Sequence, residues 1–218
     1  EGYVFQLPTT IVGPADGSLN LRFTGSSYAG FYGNSDLSVS NLNFTKSADS
    51  SVYSLIVSSV TQSLTVSNST FSDASIELAI YAEGNLIVSD STFENLTSTA
   101  GGAAIYVDSS SAETVIANST FTNNQATGQA SGGAVNAQGL LTIGNSTFDS
   151  NVAADQGGAV FSENIAVIFN STFVGNSAMT GAAVVFGEGG ILSNSTFWNN
   201  GDADASSIYA AESGLFGN

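Results

Sequence analysis

The chain has 218 residues, of which 42% are hydrophobic and only 9% are charged. Its formal net charge is −16, because Arg22 and Lys46 are the only bases against 18 acidic residues. This balance excludes nucleic-acid binding, which needs lysines and arginines to displace the counterions of phosphates, and it disfavours anionic polysaccharides and membrane surfaces. Cysteine and histidine are both absent, which excludes disulfides and thiol chemistry and makes zinc implausible.

The first predicted element is an apolar, strand-like segment at Gly2–Pro8. The chain opens at Glu1 without a charged or apolar leader, and we expect any export signal to have been removed. Stacked repeats need their open ends covered. We therefore expect residues 1–14 to form an N-terminal cap or an exchanged strand over the repeats that follow.

A short motif recurs through residues 15–218. The tetrapeptide NSTF starts at five asparagines: Asn68, Asn118, Asn145, Asn170 and Asn194. Looser copies are NLRF at Asn20, NLNF at Asn41 and DSTF at Asp90, and Asn218 falls where a ninth copy would start. Successive starts lie 21 to 28 residues apart. A repeat of this length predicts one supersecondary unit stacked on copies of itself, in a single domain over residues 1–218.

Each copy ends an alternating apolar stretch. Inward positions such as Leu64 and Val66 alternate with small or polar residues such as Thr65, which is the period-two pattern of a β-strand. The Ser-Thr pair reads as a corner, after which a phenylalanine returns to the core. These phenylalanines predict a stacked column: Phe23, Phe44, Phe71, Phe93, Phe121, Phe148, Phe173 and Phe197.

The motif asparagines predict a second column, with side chains turned inward and amide hydrogen bonds passed between turns. Its members are Asn41, Asn68, Asp90, Asn118, Asn145, Asn170 and Asn194. Asp90 is the one acid among them, and we expect a wetter corner or local compensation there.

A further strand begins eleven to fourteen residues before most copies, as at Ala79-Ile80-Tyr81. Paired glycines precede it at Gly132-Gly133 and Gly157-Gly158, where a corner needs unusual backbone angles. Two or three short strands per turn predict an all-β fold, a right-handed parallel β-helix of about eight turns. Each turn should rise by the spacing between neighbouring strands, about 4.8 Å.

Two short motifs alternate in the second half of the chain. Phe-x-x-Asn starts at Phe121, Phe148, Phe173 and Phe197, and Gly-Gly-Ala-Val starts at Gly132 and Gly157. Their alternation resembles the repeat region of chlamydial polymorphic membrane proteins, most clearly over about residues 100–200. In that family the repeats form the β-helical passenger of an autotransporter at the cell surface. The resemblance implies an extracellular location and a role in adhesion.

A carbohydrate-active β-helix enzyme is the alternative. A glycosidase needs two carboxylates about 5–9 Å apart that face one cleft. The candidate pairs are Asp73 with Glu77, and Glu83 with acids one turn away such as Asp108. Scattered acids on a solvated face explain these residues better, and no histidine is present to act as a general base.

Calcium is the one metal that the sequence leaves open, at the Asp202-Ala-Asp204 pair. Seven N-x-S/T sequons occur, and five of them coincide with the motif asparagines, which we expect to point inward. Asn43 and Asn95 are therefore the predicted glycosylation sites. An ice-binding solenoid is a minor alternative suggested by the threonine after each motif serine, but we expect these threonines at a corner and not on a flat face.

The sequence thus predicts a non-enzymatic, extracellular or cell-surface β-helix that acts as an adhesive module or as a subunit that assembles end to end into filaments. The expected partners are a second copy, through open β-helix ends, or a host or cell-surface protein or glycan. Neither a nucleic acid nor a transmembrane segment is expected, and calcium is the only cofactor considered.

Overall fold

The computed structural model describes residues 2–47, 49–59, 62–201, 206–211 and 215–216. Within these ranges all regular structure is β-strand. Each strand pairs in parallel with its counterparts one repeat before and one repeat after, except at the two ends of each sheet, where it has one neighbour. Successive repeats therefore stack as coils of one solenoid of about eight turns. The predicted all-β parallel β-helix is confirmed.

Three long sheets and one short sheet run along the solenoid. The first sheet contains Tyr3–Phe5, Ala29–Gly33, Ser54–Ser58, Leu78–Ala82, Ile105–Val107, Val135–Ala137, Val160–Ser162, Val184–Phe186 and Ile208–Ala210. The second contains Thr9–Val12, Leu37–Ser40, Leu64–Ser67, Leu86–Ser89, Glu113–Ala117, Leu140–Gly144, Ala166–Phe169, Gly190–Ser193 and Leu215–Phe216.

The third sheet carries the motif threonines and phenylalanines, and the fourth is a separate short sheet whose strands follow three of the third-sheet strands along the chain. The third contains Asn20–Phe23, Asn43–Lys46, Thr70–Ser72, Thr92–Glu94, Thr120–Thr122, Thr147–Asp149, Thr172–Val174 and Thr196–Trp198. The fourth contains Thr97–Ser98, Gln125–Ala126 and Val152–Ala153.

The core is a set of columns in which like side chains lie over like. Phenylalanine rings stack nearly parallel from Phe44 to Phe197, with centroids 4.7–4.9 Å apart. This spacing equals the expected rise per turn, since strands hydrogen-bond at that distance. Two aliphatic columns of the second sheet line the same interior: Leu64 lies over Leu86 and Val66 over Val88, and all four side chains are fully buried. Burying such side chains stabilises the fold by about 1.5–3 kcal/mol each.

The first motif copy is shifted by two residues from its predicted alignment. Leu21, and not Phe23, lies opposite Phe44, and Asn20 pairs with Asn43. Phe23 still stacks on the Phe44 ring, but at a longer centroid distance of 6.2 Å, and meets Phe31 edge-on. The apolar side chain that packs in the phenylalanine column therefore decides the register. The sequence similarity of NLRF and NLNF does not reveal it.

The N-terminal segment is part of the stack. Tyr3–Phe5 pairs with Ala29–Gly33 and Thr9–Val12 pairs with Leu37–Ser40, in the same register as later turns. The expected cap or exchanged strand over residues 1–14 is therefore wrong for the described residues, which extend the first and second sheets by one strand each. The alternation of apolar residues in these two strands matches that of later turns, so the strands pair with the next turn in the same way.

The motif asparagines turn the chain at a corner and do not line the interior. All seven members of the column have a left-handed backbone, with φ between 46° and 58°, and all but the half-buried Asn41 are exposed. Asparagine and aspartate tolerate this conformation better than other non-glycine residues. The predicted inward orientation of Asn41, Asn68, Asp90, Asn118, Asn145, Asn170 and Asn194 is wrong, and Asp90 lies at a solvated corner with Asn118 Nδ2 donating to its carboxylate.

A buried amide ladder does exist, but the asparagines of the Phe-x-x-Asn motif form it. Its members are Asn124, Asn151, Asn176 and Asn200. Asn151 Nδ2 donates to Asn176 Oδ1 (3.0 Å) and to the carbonyl oxygen of Phe121 (3.0 Å), and its Oδ1 accepts from both Nδ2 and the backbone N–H of Asn124. Every polar atom of that buried amide is therefore hydrogen-bonded, as burial requires.

The motif serines form a second internal ladder. Ser119 Oγ donates to the Ala117 carbonyl and accepts from the backbone N–H of Ser91, while the Ser119 N–H donates to Ser146 Oγ. The same pattern joins Ser69 to Ser91 and Ser146 to Ser171. The four letters of NSTF thus specify an exposed left-handed corner, a buried hydroxyl, an outward strand residue and a core ring.

Candidate ligand-binding face

The third sheet presents a regular column of threonines to solvent. Its members are Thr70, Thr92, Thr120, Thr147, Thr172 and Thr196. They lie on paired strands, so the expectation of a corner position is wrong. The next outward column on the same strands mixes polar, charged and apolar residues, such as Thr122, Asp149 and Trp198. The face is therefore not a repeated Thr-x-Thr lattice.

The predicted glycosylation sites are engaged in hydrogen bonds. Asn43 Nδ2 donates to the Gly17 carbonyl (2.7 Å) and to Asn20 Oδ1, and Asn95 Nδ2 donates to Asp73 Oδ1 (2.9 Å). Asn43 is half-buried and Asn95 is exposed. The sequons set aside as inward-facing are instead exposed at their asparagines, so exposure does not single out Asn43 and Asn95.

The calcium candidates Asp202 and Asp204 lie outside the described residues. Within the part of the chain that the structure describes, no group of three or more acidic side chains is arranged to hold a metal ion. The same part contains no helix of the length and hydrophobicity needed to cross a membrane.

The outer side of the first sheet concentrates aromatic side chains. Tyr32, Tyr81 and Tyr106 occupy the same outward position on their strands. The column has Val57 between Tyr32 and Tyr81 and continues with Asn136 and Phe161. Two more tyrosines precede the strands: Tyr28 and Tyr53 stack at 5.3 Å, and Tyr28 also meets Tyr32 at 6.1 Å. We call Tyr28, Tyr32, Tyr53, Tyr81 and Tyr106 the tyrosine face.

The hydroxyl of Tyr81 lies between two carboxylates from neighbouring turns. It is 2.7 Å from Asp108 Oδ2 and 3.2 Å from Glu83 Oε1, which places those two oxygens within about 6 Å of each other. The hydroxyl has a single proton to donate, so it satisfies one carboxylate at a time. The ring of Tyr81 meets that of Tyr106 at a centroid distance of 5.8 Å.

The residues after these strands form a column of carboxylates and an amide. The backbone N–H of each member donates to the carbonyl oxygen of the last residue of the first-sheet strand one turn earlier; the members are Glu83, Asp108, Gln138 and Glu163. Gln138 Nε2 also donates to the Tyr106 hydroxyl (3.1 Å). We call Glu83, Asp108 and Glu163 the acidic edge. At one strand spacing per turn it extends about 14 Å along the solenoid.

These surroundings keep the phenols protonated. Burial raises the pKa of Tyr81, and the hydrogen bond to Asp108 and the charges of Asp108 and Glu83 raise it further. Burial also raises the pKa of Tyr106, with Asp108 and Glu163 acting in the same direction and the hydrogen bond from Gln138 opposing them. Each carboxylate disfavours a second negative charge beside it. The face thus offers neutral hydroxyls among anionic groups.

The other predicted acid pair is not assembled in this way. Asp73 accepts from Asn95 Nδ2, whereas Glu77 Oε2 accepts from the Thr99 hydroxyl (2.8 Å). Glu77 instead borders a shallow groove of about 280 Å³ that is also lined by Tyr53 and Lys46. Of the two pairs predicted from sequence, only Glu83 and Asp108 share a hydrogen-bond partner.

Sequence reasoning missed the tyrosines of this site. The signal was present, because Tyr32, Tyr81 and Tyr106 each follow a small residue and a large apolar residue in the first-sheet strands. A periodic aromatic residue beside buried aliphatics is easily assigned to the core. The alternation of the strand, with Ile80 and Ile105 buried, turns these tyrosines outward.

Comparison with protein families finds a match to the model described as "Right handed beta helix region" over residues 17–164. Comparison with curated proteins finds no match, and comparison with solved structures finds none either. The matched segment covers more than half of the chain, includes the tyrosine face and most of the stacked columns, and agrees with the parallel coils described above. The chain therefore belongs to the right-handed β-helix family.

Proposed function

We propose that this chain is a non-enzymatic, extracellular binding module, a rigid β-helix that presents its tyrosine face and acidic edge to a partner at a cell surface. The β-helix fold is shared by enzymes and non-enzymes, so the argument rests on the face itself. The observation that carries it is the convergence of five tyrosines and three carboxylates on the outside of one sheet.

The scaffold suits such a role because it holds the face in place. Tyr81 and Tyr106 stand on strands whose inward neighbours, Ile80 and Ile105, are fully buried. Positions fixed by packing lose little freedom when a ligand binds, which favours affinity. Tyrosine adds a large amphipathic surface with few rotatable bonds, the property that makes it common in binding sites.

The surface location is supported by the resemblance of the Phe-x-x-Asn and Gly-Gly-Ala-Val alternation to repeats of polymorphic membrane proteins. The composition agrees with it, since a net charge of −16 keeps an exposed rod soluble and repels anionic surfaces. An adhesive role follows when a rod held outside the cell carries a face that binds another molecule.

The proposal is tested by measuring binding of the purified chain to immobilised cell-surface proteins and to an array of neutral and amino-bearing glycans. The double variant Tyr81→Ala/Tyr106→Ala should lose about tenfold or more in affinity for any surface that the parent chain binds. Trp198→Ala is the matched control, because Trp198 is 71% exposed on the third sheet and its loss leaves the tyrosine face intact. Equal binding by both variants, or no binding by the parent chain, contradicts the proposal.

A glycosidase is the second candidate, favoured by the Glu83–Asp108 pair. Retaining enzymes hold their two carboxyl groups about 5–5.5 Å apart, which lies within the bound set by the shared Tyr81 hydroxyl. Both residues stand on an open sheet face, Asp108 exposed and Glu83 half-buried, whereas catalysis needs a site that limits water. Release of reducing ends from a polysaccharide panel, abolished in Glu83→Gln and Asp108→Asn, would establish the enzyme instead.

Self-association is the third candidate, because the first turn exposes apolar side chains. Tyr3, Val4 and Val12 are 65%, 56% and 61% exposed on strands that have a neighbour on one side only among the described residues. Such edges accept strands from another chain. Light scattering across salt concentrations decides this point: growth into filaments that Val4→Lys prevents would favour assembly, and a constant monomeric mass would oppose it.

A further inference from the structure

The acidic edge has no countercharge of its own. Within the described ranges, no lysine or arginine nitrogen is paired with Glu83, Asp108 or Glu163, and Lys46 Nζ is occupied by the carbonyl oxygen of Ser50 (2.7 Å). The carboxylates repeat on successive or alternate turns along one side of the tyrosine face. A row of carboxylates without countercharges, beside aromatic rings, is complementary to a row of cations.

Asn136 adds an independent observation at the centre of the same face. Its neighbours Val135 and Ala137 are fully buried in the interior, so alternation turns Asn136 outward, between Tyr106 and Phe161. The side chain is only 8% exposed; its Nδ2 donates to the Ser131 carbonyl (3.1 Å), while Oδ1 has no hydrogen-bond partner. This oxygen is itself shielded from solvent. A buried acceptor without a donor is unfavourable, and a ligand N–H group would satisfy it once the side chains that cover Asn136 move aside.

The aromatic rings favour an organic cation over a metal ion as the ligand of this face. Tyr81 and Tyr106 present ring faces tilted at 49° with centroids 5.8 Å apart, and Tyr28 and Tyr53 are 56% and 38% exposed. Guanidinium and ammonium groups are attracted to such faces, and arginine combines this with planar donation to carboxylates. A bare metal ion uses neither the rings nor an amide hydrogen-bond acceptor placed apart from the carboxylates.

We propose that the tyrosine face and acidic edge together bind a basic segment of a partner protein, with arginine or lysine side chains placed over Tyr81 and Tyr106 and paired with Glu83, Asp108 and Glu163. This inference rests on the proposed binding function and specifies its ligand. The net charge of the chain draws a basic partner from a distance, and the face supplies the specific contacts.

The test uses a peptide of about twelve residues that alternates arginine with glycine, and a matched peptide with citrulline in place of arginine. The chain should bind the arginine peptide and not the citrulline peptide, and binding should weaken as salt screens the charges. In the triple variant Glu83→Gln/Asp108→Asn/Glu163→Gln, affinity should fall about tenfold or more. Tyr81→Leu should lower it about two- to fivefold through loss of the ring face.

The control variant removes the same charge elsewhere. Asp16→Asn/Glu94→Gln/Asp149→Asn neutralises three acids off this face, and Asp16 and Asp149 keep an acceptor for their hydrogen bonds to Ser18 and Ser150. Its affinity should stay within about twofold of the parent chain if the contacts are local. Equal losses in the two triple variants would show bulk charge attraction and overturn the inference.

A glucosamine polymer is the third probe. If it binds through the acidic edge and the arginine peptide does not, the inference about a basic protein segment is wrong while the binding function stands. If neither probe nor any immobilised surface binds, both are wrong. Circular dichroism melting of each variant confirms that the fold is retained.

Discussion

Two asparagine columns of the same repeat have opposite environments. Asn145 turns an exposed corner at φ 52°, whereas Asn151, six residues later, is fully buried and satisfies four hydrogen bonds. The sequence alone predicts the buried role for the more conspicuous asparagine, that of NSTF. Both asparagine positions recur with the same period. They differ in backbone conformation, which the sequence does not show directly.

This difference predicts unequal costs of substitution. Asn151→Ala should lower the free energy of unfolding by about 2–4 kcal/mol, because the buried N–H of Asn124 and the carbonyl of Phe121 lose their partner. Asn145→Ala should cost about 1 kcal/mol, the penalty of a left-handed alanine. Denaturant unfolding measures both. Equal costs would contradict the assignment of the ladder to Asn151.

The pKa of Tyr81 gives a second prediction for a single residue. Because its folded-state pKa lies above that of an unfolded tyrosine, about 10, the folded chain keeps a proton that the unfolded chain loses. The resulting stabilisation is full below about pH 10 and is lost as the pH rises further. Asp108→Asn should lower the pKa of Tyr81, so its phenolate appears at lower pH in an ultraviolet titration. Glu94→Gln, on another sheet, should leave that titration unchanged.

Strands and columns are the elements that sequence predicted well. Alternation of apolar residues located the strands of the second sheet, and the recurring phenylalanine located the stacked rings, because burial on one face imposes period two. The predicted register of the first copy is wrong by two residues. The asparagine and phenylalanine of NLRF match the motif, but Leu21, and not Phe23, takes the place opposite Phe44 in the phenylalanine column. Packing between neighbouring turns decides the register, so the sequence of a single turn is not enough to predict it.

The ring column predicts a large cavity effect. Phe148 is fully buried between Phe121 and Phe173, at centroid distances of 4.7 and 4.8 Å. Phe148→Ala should destabilise the chain by about 3–5 kcal/mol, because the turns above and below are held apart by strand spacing and do not collapse into the gap. Trp198→Ala, at a largely exposed aromatic, should change stability by less than about 1 kcal/mol. Thermal and chemical unfolding compare the two.

For the whole molecule, the excess of negative charge opposes compaction. Eighteen acids and two bases repel within one rod, and the acidic edge places carboxylates on adjacent turns. Raising sodium chloride from about 20 to 200 mM shortens the screening distance and should raise the Tm by a few degrees. The triple edge variant should show a smaller rise. A Tm that falls with salt would mean that attractive ion pairs outweigh the repulsion.

The candidate site belongs to this largest scale. Tyr81, Glu83 and Asp108 come from two turns, and their convergence depends on the stacking of one coil on the next. The repeat length indicates the Glu83–Asp108 pair from sequence, but only the structure shows the Tyr81 hydroxyl between the two carboxylates. A binding site on a solenoid is therefore formed by side chains from neighbouring turns.

Because each coil copies the register of its neighbours, inserting or deleting one complete coil leaves the rest of the packing unchanged. Outside the turns that carry the tyrosine face and the acidic edge, such an event lengthens or shortens the rod by about 5 Å and leaves that face intact. Selection acting on a duplicated gene segment would thereby set the reach of this molecule in small equal steps, independently of what the tyrosines hold.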